Sequence, residues 1–451
     1  MNNTTIPEAI NSVDIDFTPF FEALLEPTYL SPDVAKKMAL SDWSFLLESL
    51  NNEQRNVIWP TIPRKKRGNI LARMRPDSRE QFLKHLSLSK ITQSIQSASN
   101  NDLTSIMDAL PQERISRIIN KLSPEQQHTV HVSQQYKDDE IGHFSNPDVI
   151  TININEKLST ILDELTELGL PEYTDALVVV DSEYRYLGLI NLDQLLTGNE
   201  SQSITELMYV EPPIVANSKL IDAADFIKNS KRSMLPVIDG VGKLIGRLSI
   251  VDALTIFQEY YETQISHLGQ VSDEDLFAPV FNSARRRAVW LGINLLTAIM
   301  ASIVIGVFDK VIAEVVALAI LMPIVASMGG ITGSQTLTLT IRGLATGHLG
   351  LHNINVLRSK ELKVAFLNGM LWAFTVALLT GYWFESSSLS LVIGIALIVN
   401  MLVAALAGIL VPVTLVRMKI DPALAGSVIL TTVTDVVGFF VFLGSASVLF
   451  L

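Results

Sequence analysis

The chain has 451 residues, with 34 Lys/Arg against 46 Asp/Glu and no cysteine, which excludes disulfides, thiolate nucleophiles and thiolate metal sites. Hydrophobic residues make up 48% and the mean hydropathy is +0.34, high for a wholly soluble protein. Ten of the Lys/Arg and six of the Asp/Glu fall in residues 279–451, which leaves residues 1–278 with 24 against 40, a net of −16; phosphate binding wants a basic patch, so nucleic acid is not expected as a partner.

In chain order, the opening MNNTTIPEAINSVDIDF has neither a basic n-region nor an apolar h-region. No cleavable signal is expected there, and the N-terminus is expected in the cytoplasm. Residues 15–130 read as all-helical. LLESLNNEQRNVIWPTI (46–62) and IMDALPQERISRIINKL (106–122) space apolar residues at three and four and place Arg55 and Arg114 at the same offset. That repeat predicts stacked helical hairpins. Arg64-Lys65-Lys66-Arg67 reads as a solvated helix start, and His128, His131 and His143 read as solvated histidines in a polar helix end and linker.

Residues 140–262 change period. ALVVVDSEYRYLGLINLDQLL (176–196) reads as strand, turn, strand, helix, and MLPVIDGVGKLIGRLSIVDALTIF (234–257) repeats it. Each copy follows an amphipathic helix, 156–168 and 219–230, so two β-α-β-β-α units are predicted. The twice-repeated V-x-D-turn-L-x-G pattern resembles a tandem CBS pair. That resemblance implies an adenine nucleotide such as ATP, with Ser249 and Asp252 at the family's ribose-binding S/T-x-x-D positions. The first copy departs from it, with Asn191 and Gln194 there. Ser249 and Asp252 would equally serve as a helix cap.

The last part reads as a membrane domain. Charge-free stretches run 288–308, 315–341, 364–384 and 386–416, and a fifth, 422–451, carries the single charge of Asp435. Each is long enough to span a bilayer. Arg285, Arg286 and Arg287 precede the first span, Arg342, Arg358, Lys360 and Lys363 follow the second, and Arg417 and Lys419 follow the fourth. The positive-inside rule then puts the N-terminal region in the cytosol and Leu451 outside. The second span is unlike a lipid-facing helix. It holds Gly329, Gly330 and Gly333, and seven hydroxyl or amide groups between Ser327 and Thr340, Gln335 among them. Small residues allow close helix packing or irregular backbone beside a cavity. The hydroxyls fit a pore wall, or bonds to their own helix's carbonyls.

Asp435 sharpens the choice. A carboxylate at membrane depth costs several kcal/mol unless paired and marks an ion or proton path by default. No Lys or Arg lies inside another span to pair with it, while Ser427, Thr431, Thr432 and Thr434 add hydroxyls nearby. A homodimer with its pore on the twofold axis would bring two such carboxylates together. Oxygen ligands without Cys or His suit a hard cation such as Mg²⁺, held with most of its water.

RRRAVWLGINLLTAIMASIVIGVFD (285–309), MPIVASMGGITGSQTLTLTIRGLATG (322–347) and DPALAGSVILTTVTDVVGFFVFLG (421–444) resemble the MgtE family of magnesium channels, as does the whole order of parts. The architecture is then multidomain: an all-α helical-repeat domain (1–135), an α/β tandem CBS pair (136–250), a connecting plug helix (251–278) and an all-α transmembrane domain of five helices (279–451). The resemblance implies a homodimer in the cytoplasmic (inner) membrane that conducts Mg²⁺, with Asp435 of each chain as the central ion ligand. Gly329, Gly330, Ile331, Gly333, Gln335, Ser427, Thr431 and Thr432 would line the path. Cytosolic Mg²⁺ would close it by binding the acidic soluble parts, with Asp252, Glu259 and Glu262 as ligands on the plug helix. In one place the chain departs from the family: Ile331 stands where the motif G-G-N-x-G-x-Q has asparagine.

Two other functions are compatible with these residues: a Na⁺- or H⁺-coupled divalent cation exchanger, and a membrane-anchored nucleotide sensor. An enzyme is not expected, since no phosphate-cradling G-x-x-x-x-G-K-S/T loop is present.

Overall fold

The structure is a computed structural model and describes residues 38–451 apart from Ser97, Lys157, 198–201, 272–279 and Leu351. The parts of the expected helical domain before Met38 and of the expected connecting helix after Val271 therefore lie outside the described residues. Two compact units meet in the chain between Tyr261 and Glu262.

The first unit opens with short helices: α1 (Leu40–Ser49), α2 (Asn52–Ile58), α3 (Arg64–Arg73), α4 (Pro76–His85), α5 (Leu88–Ile95), α6 (Asn100–Asp108), α7 (Gln112–Ile119), α8 (Pro124–Ser133) and α9 (Ile141–Phe144). Polar caps start several of them. Asn51 Oδ1 accepts from Gln54 N–H while Gln54 Oε1 accepts from Asn51 N–H, and Ser123 with Gln126 does the same for α8, which satisfies amides that a helix start leaves open. The repeated arginines close helix ends. Arg55 donates to the carbonyls of Leu47 and Glu48 at the end of α1, and Arg114 donates to those of Leu83, Lys84 and Leu86 at the end of α4. The shared offset thus encodes a shared job, covering the orphan carbonyls of a helix C-terminus. The core beneath is large-grained: Trp43, Trp59 and Phe82 are buried, with Trp59 edge-on to Phe82 at 5.0 Å between ring centres.

His143 differs from expectation. It is buried, not solvated: Nδ1 lies 3.1 Å from the Ser133 carbonyl and Nε2 lies 2.9 Å from Asp108 Oδ2. The linker turns back as α9 against α6 and α8, so a polar stretch of sequence carries one interior imidazole. The Asp108 hydrogen bond raises the His143 pKa, burial opposing it.

The two α/β copies follow as predicted. β1 (Thr151–Asn153), α10 (Leu158–Leu168), β2 (Ala176–Val180), β3 (Tyr186–Asn191) and α11 (Leu192–Thr197) form the first; α12 (Ile204–Leu207) leads to the second, β4 (Ile214–Val215), α13 (Leu220–Ser230), β5 (Met234–Ile238), β6 (Leu244–Ser249) and α14 (Ile250–Leu268). In each sheet the first strand pairs parallel with the second and the second antiparallel with the third. The aspartate of V-x-D builds the hairpin turn. Asp181 Oδ1 accepts from the amides of Glu183 and Arg185, and Asp239 Oδ1 from those of Val241 and Lys243, an Asx-type turn in both copies.

The second unit contains α15 (Val280–Val307), the short α16 (Asp309–Glu314), α17 (Ala317–Ala345), α18 (Ile354–Phe384), α19 (Ser387–Arg417) and α20 (Pro422–Phe450). The five long ones are each long and apolar enough to cross a membrane, so the protein is a multi-pass membrane protein. α19 is central: half of its most apolar stretch is buried within the chain, against 6% for α15. Two expectations change. α18 begins at Ile354, ten residues before the charge-free stretch, and takes Arg358, Lys360, Glu361 and Lys363 into the helix. α17 runs unbroken through Pro323 and the glycines, so Gly329 and Gly333 serve the packing of a regular helix, not irregular backbone.

Candidate ion path

The small residues of α17 make room for its neighbours. A Cβ on Gly329 would collide with Asn400 Nδ2 of α19, and one on Gly438 of α20 would come within 2.6 Å of the same atom. Asn400 is fully buried at this three-helix junction and donates through Nδ2 to the Val325 carbonyl at 2.9 Å. Gly408 of α19 sits against the Gly333 carbonyl, where a Cβ would lie at 2.8 Å. Close backbone approach of this kind is how helices gain contact in lipid, where apolar burial drives little.

The hydroxyls are mostly spent on their own helices. Thr332, Thr336 and Thr340 donate to the carbonyls of Met328, Thr332 and Thr336. On α20, Thr431, Thr432 and Thr434 donate to Ser427, Val428 and Thr431. Such back-bonds satisfy the donor, while the oxygen's lone pairs stay available to a hydrated ion.

Asp435 is half-buried on α20 and makes no hydrogen bond or ion pair with a described residue. Ser427, Thr431 and Asp435 follow each other at a spacing of four, one stripe along the helix. The remaining expected path residues divide by exposure. Gly329 and Gly333 are buried within the single chain, Gly330, Ser427 and Thr432 are half-buried, and Ile331, Gln335 and Thr431 are exposed. The exposed ones face away from the chain's own core, where lipid or a second subunit would meet them.

The stripe is touched at its lower end by the segment that enters the unit from α14. Gln270 Nε2 donates to Ser427 Oγ at 2.9 Å, and Asn294 of α15 donates to Gln270 Oε1 at 2.7 Å. His267 Nδ1 lies 2.6 Å from Asp421 Oδ2, and the other carboxylate oxygen of Asp421 caps α20 by accepting from Ala423 N–H.

The expected soluble-side ligands are not gathered. Asp252 pairs with Ser249: its Oδ2 accepts from Ser249 N–H and Oγ–H, and Ser249 Oγ accepts from Asp252 N–H. That is a reciprocal cap on α14. Glu259 is exposed and Glu262 half-buried further along the helix. Among the described residues no group of three or more His, Asp or Glu is arranged to hold a metal. In the first copy, Asn191 Oδ1 accepts from the Tyr209 hydroxyl at 2.7 Å.

Two membrane residues escaped sequence reasoning. Asn400 was legible as the lone carboxamide in 386–416. Glu361 was hidden by its neighbours, since Lys360 and Lys363 made the stretch read as a connection.

Five membrane-crossing helices, one of them carrying a carboxylate with no partner among the described residues, in one chain with helical repeats and a tandem α/β pair, define a multi-pass transport protein with large soluble domains. Family models agree along the chain: MgtE intracellular N domain over residues 38–139, CBS domain over 141–198, and MgtE, divalent cation transporter, over 322–445. The chain belongs to the MgtE family. It is similar to the magnesium transporter MgtE of Thermus thermophilus, 28% identical over 444 residues, covering 95% of this chain and 97% of that protein. The magnesium transporter MgtE of Bacillus subtilis is 21% identical over 425 residues, covering 90% and 94%. A solved cytosolic domain of the Mg²⁺ channel MgtE in complex with ATP aligns with 52% of this chain and 98% of its own length, at 23% identity and a TM-score of 0.47.

Proposed function

We propose that this protein carries Mg²⁺ across the cytoplasmic membrane as a homodimer, with Asp435 of each subunit forming the central ion site. The observation that carries the reading is the half-buried Asp435 with no described protein partner, in a family of divalent cation transporters whose full-length relatives are named magnesium transporters. A cation is the cheapest counter-charge for a carboxylate at that depth. Two carboxylates, threonine oxygens and water offer a hard divalent ion the oxygen shell it prefers. With the N-terminus cytosolic and Leu451 outside, an inward-negative potential favours uptake by about 4–5 kcal/mol per 100 mV for a divalent ion.

Gating would act through the end of α14 and the segment that follows it. Gln270 and His267 hold Ser427 and Asp421 at the foot of the Asp435 stripe. Cytosolic Mg²⁺ bound near Asp252, Glu259 and Glu262 would favour that held arrangement and close the path by linkage. An adenine nucleotide at Ser249 and Asp252 would have to open their mutual cap first.

The test is Mg²⁺ flux in proteoliposomes at a set potential, for wild type and Asp435→Ala, with and without Na⁺ or ATP. Potential-driven flux that needs no Na⁺ and is lost in Asp435→Ala is the expected result. Flux that requires a Na⁺ gradient would replace the channel by a coupled exchanger. Flux undiminished in Asp435→Ala would remove the central site.

A further inference from the structure

Glu361 stands out among the described carboxylates of the membrane unit. It is only 6% exposed, although α18 places it in the second turn of a membrane-crossing helix. Its contacts are thin. Oε2 lies 3.4 Å from Thr336 Oγ1, a hydroxyl that also bonds the Thr332 carbonyl at 3.2 Å. Oε1 lies 3.3 Å from Lys360 Nζ, and the Lys360 side chain is 66% exposed. A buried carboxylate so weakly held requires a better counter-charge than a solvated ammonium.

The carboxylate lines a cavity of about 210 Å³ between α17 and α18. Thr332, Gln335 and Thr336 supply one wall at a spacing of three and four; Lys360, Glu361 and Asn368 supply the polar part of the other. Lys360 apart, the polar side chains all offer oxygens: one carboxylate, two carboxamides and two hydroxyls. A single water needs about 10–15 Å³ of such space, so the cavity has room for an ion together with much of its shell. Uncharged oxygens, one carboxylate and retained water describe a site for a small hard cation, not for a soft metal or an anion.

We propose that this cavity is a second cation site, one in each protomer, that takes a hydrated divalent cation on Glu361 with Gln335 and Asn368 as outer oxygens. Lys360 is its internal competitor. In the empty site the ammonium rests on Glu361; the arriving ion carries twice the charge and displaces it toward solvent. The site is distinct from Asp435 and stands whether or not Asp435 conducts.

The chain has no cysteine, so one introduced cysteine carries a unique reporter. A nitroxide on Leu339→Cys, at the cavity rim, is titrated with Mn²⁺ in the full-length detergent-solubilised protein. Saturable line broadening is expected, competed by Mg²⁺, retained in Asp435→Asn and lost in Glu361→Gln. In Lys360→Met the same broadening is expected at roughly tenfold lower Mn²⁺, because the competitor is gone. Absence of broadening in the parent, or its persistence in Glu361→Gln, overturns the proposal. So does a Lys360→Met protein that melts earlier with unchanged broadening, which would make Glu361 and Lys360 an internal ion pair alone.

Discussion

The helical domain and the membrane bundle pack their interiors in opposite ways. Around Trp43, Trp59 and Phe82 large side chains fill the space between short helices. Around Gly329, Gly408 and Gly438 the absence of side chains lets long helices touch. Water explains the first, because each large apolar group removed from it is worth about 1.5–3 kcal/mol. Lipid explains the second: apolar burial gains little there, and close contact gains more. Polar groups follow the same division. In the helical domain Arg55 and Arg114 close helix ends; in the bundle threonines bond their own helices. Against the second background Asp435, Asn400 and Glu361 are among the polar groups that local bonding does not explain.

The contrast breaks most sharply if the wrong kind of substitution is tolerated. Phe82→Ala removes a fully buried ring facing Trp59 and is expected to cost about 3–5 kcal/mol, read as lost hydrogen-exchange protection in α3, α4 and α7 of the full chain. In the bundle the damaging direction reverses. Gly329→Ala puts a Cβ into Asn400 and is expected to cost about 1–3 kcal/mol, whereas a Cβ on Gly330 meets no atom within 4 Å, so Gly330→Ala should melt like the parent in detergent. Equal melting of the two variants would show that the junction is not tightly packed.

Smaller effects sharpen the comparison within the soluble unit. Arg114→Met strips three carbonyls at the end of α4 of their donor, an expected loss of about 1–3 kcal/mol, visible as fraying of that helix by hydrogen exchange. The smallest effect is on pH. Asp108 holds the His143 pKa above its ordinary value. A raised histidine stabilises fully below its unfolded value of about 6.5 and loses that stabilisation as pH climbs through the folded value. Melting of the soluble part of the full chain should therefore fall by a few degrees as pH rises above that range, and His143→Gln should flatten the slope. An unchanged slope would mean that another group titrates there.

Much of the fold was legible in the residues. The V-x-D repeat announced two hairpins because Asp181 and Asp239 each build the same turn. The Arg55 and Arg114 offset announced repeated helix ends. Charge-free lengths announced five membrane helices. The candidate site was legible at Asp435, a lone charge against a long apolar background. Glu361 was not, because a charge beside other charges reads as a loop until the helix is seen to start at Ile354. His143 was not, because burial of a linker residue depends on where the chain turns back.

By itself the sequence determined what is periodic or local in this protein: helix and strand type, the five long apolar helices, the turn aspartates and the isolation of Asp435 in α20. These follow from spacing and from the cost of placing charge in lipid, and both act along the chain. The tertiary structure alone decided which faces meet. It set Asn400 between Gly329 and Gly438, tied Gln270 to Ser427, turned Ser249 and Asp252 toward each other, and left a cavity beside Glu361. Those outcomes depend on distances between residues far apart in the chain, which no local spacing carries.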